Sequence, residues 1–550
     1  MSSTPVVRSG HRWTGLGVLV LAVTLVAVDA TVLSLAIPSI TETLRPSGTQ
    51  LLWIGDVYSF VLAGLLVSMG ALSDRLGRKR VLLVGSAAFG AASLLAAYAP
   101  GPGWLILARA LLGVAGATIM PSTLSLIRTL FPDTRERATA IGIWGAGAAA
   151  GAALGPLVGG VLLEHFWWGS VFLLNLPVMV LLLVFGAWLL PESRDPQPGR
   201  WDMPSVLLSM AGVIGAVYGV KEFAAHGFAD WSTPVVFVLG AGLLVAFVRR
   251  QLRLETPLLE VRLFRNPRFT AAVVSSLISL IGLSGVIFFM SQYLQLVRGY
   301  SPLDAGLAEM PAFVGSVAGG LLTARLVRRA GARRVLTVGL FVMGVGIGVL
   351  GFVRVDSAYL LLGASFLALG TAEGVVYTLS SDLVLGTAPA DKAGAASAVS
   401  ETAYELGAAL GIALVGSVVT ALYAGSLTVP AGVDPALADR AGESLGGAHE
   451  AASTLPTGLA EQLMGSASSA FVHGITVAAW VSAALLLGAA VLAHRLLRAT
   501  APARTAPDQA PQHGESPQAH EHEQKHEREQ SQGQGQEQGQ GQEERIPTGH

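Results

Sequence analysis

The chain is 550 residues long and 52% hydrophobic, with only 13% charged residues and a mean hydropathy of +0.59. Soluble domains carry about 25% charged residues, so most of this chain must lie in lipid. Its formal net charge of −1 gives no basis for nucleic-acid binding, and the lack of cysteine excludes disulfides, thiol catalysis and Cys-held metal or iron–sulfur centres.

The first apolar run follows Arg8, His11 and Arg12, flanks that also suit a secretory leader. It is about 25 residues long and further runs follow, so an uncleaved first helix is expected. Runs long enough to cross a core ~30 Å thick fall at 14–39, 51–72, 80–99, 104–127, 138–163 and 168–190. Two more lie at 203–221 and 234–250, and six at 269–296, 303–325, 333–353, 358–385, 396–423 and 470–496. They are numbered here as spans 1 to 14.

The distribution of Lys and Arg checks this count, because short cytoplasmic loops are enriched in them. With the N-terminus inside, the outside loops hold only Arg45, Lys221, Arg298, Arg354 and Arg440, whereas most of the 35 basic residues fall in inside segments. A missed span would scramble that split. The prediction is an all-α integral membrane protein with both termini cytoplasmic, built as a cytoplasmic segment (1–13), a six-helix bundle (14–190), two inserted helices (203–250) and a second six-helix bundle (269–496). Residues 424–469 read as a long, net-acidic external loop. Residues 500–550 are Gln-, Gly-, Glu- and His-rich and read as a disordered cytoplasmic tail, in which His520, His522 and His526 are expected to be solvated.

Several stretches carry more than patterning. In span 1, Asp29 sits near mid-membrane with no basic neighbour in its own helix, the position of a proton or cation carrier. Between spans 2 and 3, Gly70 and Gly77 punctuate a dense charge cluster of Asp74, Arg75, Arg78 and Lys79. The loop at 325–334 echoes it, with Gly331 parallel to Gly77 but no acid parallel to Asp74. Span 4 carries Arg109, an intramembrane charge that needs a partner or a water-filled cavity. In span 5, Gly147, Gly151, Gly155 and Gly159 recur every fourth residue and make a smooth helix face, with Gly160 widening it and Pro156 removing a backbone hydrogen bond.

Glu309 in span 10 and Glu373 in span 12 lie well inside their helices and are expected to face a cavity, whereas Asp382 near the inner end of span 12 is expected to be solvated. In span 13, Glu401 and Glu405 are four residues apart and share a helix face, with Tyr404 beside them. Two carboxylates so close in low dielectric are coupled, which suits a proton carrier. Trp53, Tyr58, Trp144, Tyr293 and Tyr377, with Tyr404, offer candidate cation–π surfaces for a pocket.

The pattern Gly70-x-x-x-Asp74-Arg75-x-Gly77-Arg78-Lys79 resembles the loop between spans 2 and 3 of the major facilitator superfamily. Gly151-x-x-x-Gly155-Pro156-x-x-Gly159-Gly160 resembles the antiporter signature of its drug:proton exchangers, and the stretches around Asp29, Arg109 and Glu401–Glu405 resemble its fourteen-span, quaternary-ammonium and multidrug branch. The resemblance covers roughly 14–496. It implies two parallel six-span repeats working by alternating access, with Asp29, Arg109, Glu401, Glu405, Glu309 and Glu373 serving proton coupling or cation recognition, and Gly70–Arg78 gating the cytoplasmic side.

The expected function is proton-coupled efflux of lipophilic, often cationic drugs across a bacterial plasma membrane. The alternatives are an exporter dedicated to one natural product and, on the same scaffold, a non-transporting sensor. No Gly-x-x-x-x-Gly-Lys-Ser/Thr occurs, so an ion gradient is the expected drive. No catalytic residue, metal or cofactor is expected. The expected partners are drugs, protons and lipid, and a monomer is expected.

Overall fold

The computed structural model describes residues 9–498 apart from 47, 195–201, 227–231, 256 and 390–391. The tail expected to be disordered, with its histidines, lies outside the described residues. Within them the chain is helical, and 14 helical segments are long and apolar enough to cross a membrane. A chain in lipid must satisfy its backbone polar groups internally, and a helix does so within one segment.

Spans 1 to 5 are Ser9–Leu44, Gly48–Leu76, Arg78–Ala97, Pro102–Leu130 and Thr134–His165. Span 6, Ser170–Leu189, is interrupted at Leu174. Spans 7 and 8 are Met203–His226 and Ser232–Gln251. Span 9 is Pro267–Val297, and spans 10 to 13 are Pro302–Ala330, Ala332–Leu350, Tyr359–Thr387 and Ala393–Ser426. Span 14 is Thr457–Arg498.

Local signals explain where several helices begin. Asp133 caps span 5 by accepting from the backbone N–H groups of Arg135 and Glu136. The Glu136 bond, with that of Arg135, holds the exposed Asp133 carboxyl below the ordinary carboxylate range. Asn266 and Ser301 cap spans 9 and 10 in the same way, each followed by a proline in the first turn. Gly77 and Gly331, at the starts of spans 3 and 11, have φ of 108° and 80°, a backbone that side chains other than glycine's resist. The parallel glycines of the two loops thus make the same turn.

Spans 1–6 enclose one apolar core and spans 9–14 a second. The helix pairing repeats with an offset of eight: 1 packs on 5, 2 on 4 and 3 on 4, as 9 packs on 13, 10 on 12 and 11 on 12. The halves meet along two seams, span 5 on span 10 and span 2 on span 13, which the same offset exchanges. Spans 7 and 8 form a hairpin, and span 7 packs on both span 2 and span 13, covering that one seam.

The 424–469 stretch differs from its expectation as a plain loop. It contains helices Pro435–Glu443 and Leu445–Ser453, and span 14 already begins at Thr457. Asp434 and Ser444 cap the two short helices, and Ala441, Leu445, Ala448 and Ala451 join the second core. The Tyr423 hydroxyl ties them down by donating to Ala441 O at 2.7 Å.

Candidate functional site

Asp29 is not alone. Arg109 from span 4 reaches it across the bundle, with Nη1 3.3 Å from Oδ2, and both residues are fully buried. The charge in span 4 and the charge in span 1 are therefore one ion pair, the arrangement that makes intramembrane ions affordable. Asn175 of span 6 donates to Asp29 Oδ1 at 2.8 Å and to Ser93 Oγ of span 3 at 3.0 Å. Arg109 Nε donates to Ile54 O at 3.4 Å, and its guanidinium lies 4.6 Å from the centre of the Tyr58 ring. Asn175 and Ser93 are functional candidates that the sequence reading missed; the signal was a buried amide at the start of an otherwise apolar span.

A second centre lies between the halves, in a cavity of about 350 Å³ lined by spans 1, 2, 4, 5, 9, 10, 12 and 13. Among the described residues its lining holds four acids, Glu309, Glu373, Glu401 and Glu405, all from the second half, and no basic residue. The Tyr377 hydroxyl donates to Glu401 Oε1 at 3.0 Å, and Ser316 Oγ donates to Glu373 Oε2 at 2.7 Å. Glu401 is fully buried by these walls. Glu401 Oε2 and Glu309 Oε1 are buried with no hydrogen-bond partner among the described residues. The rest of the lining is largely apolar, with tyrosine faces from Tyr58, Tyr377 and Tyr404.

The remaining aromatic expectations divide. Trp144 is fully buried behind the wall, stacked on Tyr377 at 6.0 Å and donating to Thr123 Oγ1 at 3.2 Å. Trp53 does not line the cavity: it is half-exposed and stacks on Tyr218 of span 7 at 6.5 Å. Tyr293 does not line it either. It is buried in the second core, and its hydroxyl donates to Arg354 O beyond span 11 at 2.7 Å.

The glycine face of span 5 packs on span 1. Gly147 lies against Val20 and Thr24, Gly151 against Thr24 O and Ala27, and Gly155 against Thr31 and Val28 O. Thr24 Oγ1 donates to Gly147 O at 2.9 Å across the contact. Gly159 is buried, whereas Gly160 is exposed with no neighbour near it and adds nothing to the packed face. The side chain of Pro156 lies outside the described residues. Since span 1 also carries Asp29, this face holds the ion pair's helix in register with span 5.

At the end where spans 2 and 3 join, Asp74 accepts from Arg78 Nε and Nη2 at 3.0 and 2.8 Å and from the backbone N–H groups of Gly394 and Ala395, both at 2.9 Å. Those amides open span 13, so a carboxylate of the first half caps a helix of the second, where the helix terminus favours negative charge. A methyl group on Gly70 would sit 2.5 Å from Gly394 O, so glycine permits this approach. Arg75 is half-buried at the end of span 2, and Gly77 makes the turn. A second tie joins the halves nearby: Arg137 Nε to Asp382 Oδ1, 2.8 Å. Asp382 is buried in this pair, contrary to the expected solvation, because span 5 brings a guanidinium to it. Arg128 adds hydrogen bonds to Ala388 O and Pro389 O at 2.7 and 3.2 Å.

The family model described as Major Facilitator Superfamily matches residues 19–412. The chain belongs to the major facilitator superfamily. The multidrug efflux pump LfrA of Mycolicibacterium smegmatis is 48% identical over 482 residues, covering 88% of this chain and 95% of that protein. The methyl viologen resistance protein SmvA of Salmonella typhimurium is 38% identical over 486 residues, covering 88% and 97%. Among solved structures, the human organic anion transporter MFSD10 (TETRAN) matches with a TM-score of 0.61 over 88% of this chain and 99% of that one, at 15% identity, a likeness of fold. Fourteen apolar helices of spanning length among the described residues, together with the bacterial efflux-pump relatives, make this superfamily member a multi-pass protein of a bacterial plasma membrane.

Proposed function

We propose that this chain is a transporter rather than an enzyme, and that it exports lipophilic cations in exchange for protons, with both termini on the cytoplasmic side. The observation that carries this reading is the central cavity: four carboxyl groups and three tyrosine faces in a largely apolar wall, with no basic side chain among the described residues. Such a site attracts cations or protons, repels anions and accommodates apolar bodies. The relatives named for multidrug efflux and methyl viologen resistance support it.

Coupling in this reading uses both centres. Tyr58 lines the cavity while its ring faces Arg109, so it connects the cavity with the Asp29–Arg109 pair. A proton arriving on Asp29 cancels the ion pair and frees Arg109 to shift against Tyr58. Cavity acids exchange a proton for a drug cation, and the two halves rock about the site. The ties made by Asp74 and Arg137 close the cytoplasmic side in one state and must part in the other. The site works from one chain, in line with a monomer.

Efflux from loaded cells or proteoliposomes tests the reading. A fluorescent lipophilic cation should be expelled against its gradient, and a protonophore should collapse that efflux. Expulsion that ignores the protonophore overturns proton exchange; protection against one compound alone makes this a dedicated exporter.

A further inference from the structure

We propose that spans 2, 7 and 13 form a second substrate subsite, which takes the hydrocarbon part of an amphiphilic monovalent cation while Glu405 holds its charged head. This deepens the cation-export reading and rests on it. A side pocket of about 430 Å³ lies between these three spans. It shares two residues with the central cavity, Ser59 and Glu405, so the two spaces meet at one carboxyl group. Away from that junction the walls are largely hydrocarbon: Phe60 from span 2, Val213, Ile214 and Val217 from span 7, and Leu406 and Ile412 from span 13.

Three features favour an amphiphile. First, among the described residues the lining holds one acid and no base, so a cation is the charge it accepts. Second, the pocket is long. Glu405 and Thr420 both line it, roughly 22 Å apart along the helix at a rise of about 1.5 Å per residue, enough for an extended alkyl chain. Third, its wall is open to the surroundings, with Ile412 39% exposed.

Span 7 is suited to yield to such a guest. Polar ties fix its first turns: Asp202 with Arg250 at 2.8 and 2.9 Å, Ser205 with Gln251 at 2.6 Å, and Ser209 with Ser68 at 3.4 Å. Along the pocket it presents Val213, Ile214 and Val217, whose apolar contacts an alkyl chain can replace without orphaning a polar group. The other seam, span 5 on span 10, has no inserted helix packed over it among the described residues. The inserted hairpin therefore serves a chemical role that the symmetric twelve-span core does not supply.

Ala409→Leu fills the pocket one turn beyond Glu405, on a residue that lines the pocket and not the cavity. Kd should rise about tenfold for dodecyltrimethylammonium, equivalent to about 1.4 kcal/mol, and its export should fall in step. Methyl viologen, a compact dication, should bind within about twofold of the unsubstituted chain. Val213→Ala, which enlarges the pocket, should shift the preferred alkyl chain to a longer one, and this arm holds even if Ala409→Leu folds poorly. Equal losses for both cations, or an unchanged dodecyltrimethylammonium Kd as expected if lipid occupies the pocket, overturn the subsite. An unsubstituted chain that binds neither cation overturns cation export and the subsite with it. One that binds methyl viologen but shows no chain-length preference overturns the subsite alone.

Discussion

Asp29 lies outside the cavity lining, bonded to Arg109 and Asn175, whereas Glu405 stands on the lining itself. The two carboxylates should therefore fail differently. Asp29→Asn is expected to abolish drug-dependent proton release, a loss of at least ~100-fold, while drug Kd measured in detergent stays within about threefold. Glu405→Gln is expected to weaken binding of monovalent cations as well. A large loss of drug affinity in Asp29→Asn with proton release intact would sink the assignment. The sequence made Arg109's need for a partner legible, since a charge in a span cannot stand alone. It did not identify the partner, because Asp29 lies 80 positions away and only the packing of spans 1 and 4 joins them. Trp53 and Tyr293 show the converse limit: an aromatic residue's type is written in the chain, but which side of a helix faces the cavity depends on neighbours from distant segments.

The span 1–span 5 contact depends on the absence of side chains. At Gly151 a methyl group would run into Thr24 O, backbone that cannot step aside, whereas at Gly160 it would meet nothing. Gly151→Leu should thus remove most of the folded, monodisperse protein, and Gly160→Leu should leave its yield nearly unchanged, as read by gel filtration after detergent extraction. Overpacking costs about 1–3 kcal/mol even in adaptable cores, and a backbone wall adapts least. Equal yields would show that the motif's glycines do not act through this contact. Periodicity alone predicted the smooth face, but it could not tell which motif glycine lies off it. The fourteen spans were legible for a simpler reason: twenty apolar residues have one cheap arrangement in lipid. The seat of spans 7 and 8 was not, because their sequences carry length and hydropathy but no mark of the seam they cover. The two short helices after Tyr423 were hidden because their stretch is Ala- and Gly-rich with no apolar run of span length, and its apolar residues turn onto the second core.

Across the whole molecule, the ties of Asp74 and Arg137 join the halves at one end of the fold. Cutting them should shift the population toward the state open at that end. The chain has no native cysteine, so Ala149→Cys on the central cavity supplies a single reporter thiol. With Asp74→Asn and Arg137→Gln in place, labelling of that thiol from the cytoplasmic side should quicken about tenfold, a shift of about 1.4 kcal/mol, and labelling from outside should slow. Turnover should suffer more than drug binding. Unchanged labelling from both sides would mean that these bonds do not set the balance. This tie was partly legible, since Gly70 to Lys79 marks the loop. The donors that Asp74 meets, the backbone N–H groups of Gly394 and Ala395, have no side-chain character that would advertise them.

The two seams began as equals under the eightfold offset in span number, and they are equal no longer. At one, Gly142 and Gly320 bring bare backbones together with no room for a methyl group between them. At the other, a hairpin stands between protein and lipid beside a carboxyl group. A duplicated fold of this kind has two identical flanks and no means of telling them apart. Here one flank has become a spine and the other a fore-edge, so the molecule has a front and a back within the plane of the membrane. A guest that dissolves in the bilayer meets a different protein depending on the side from which it diffuses in.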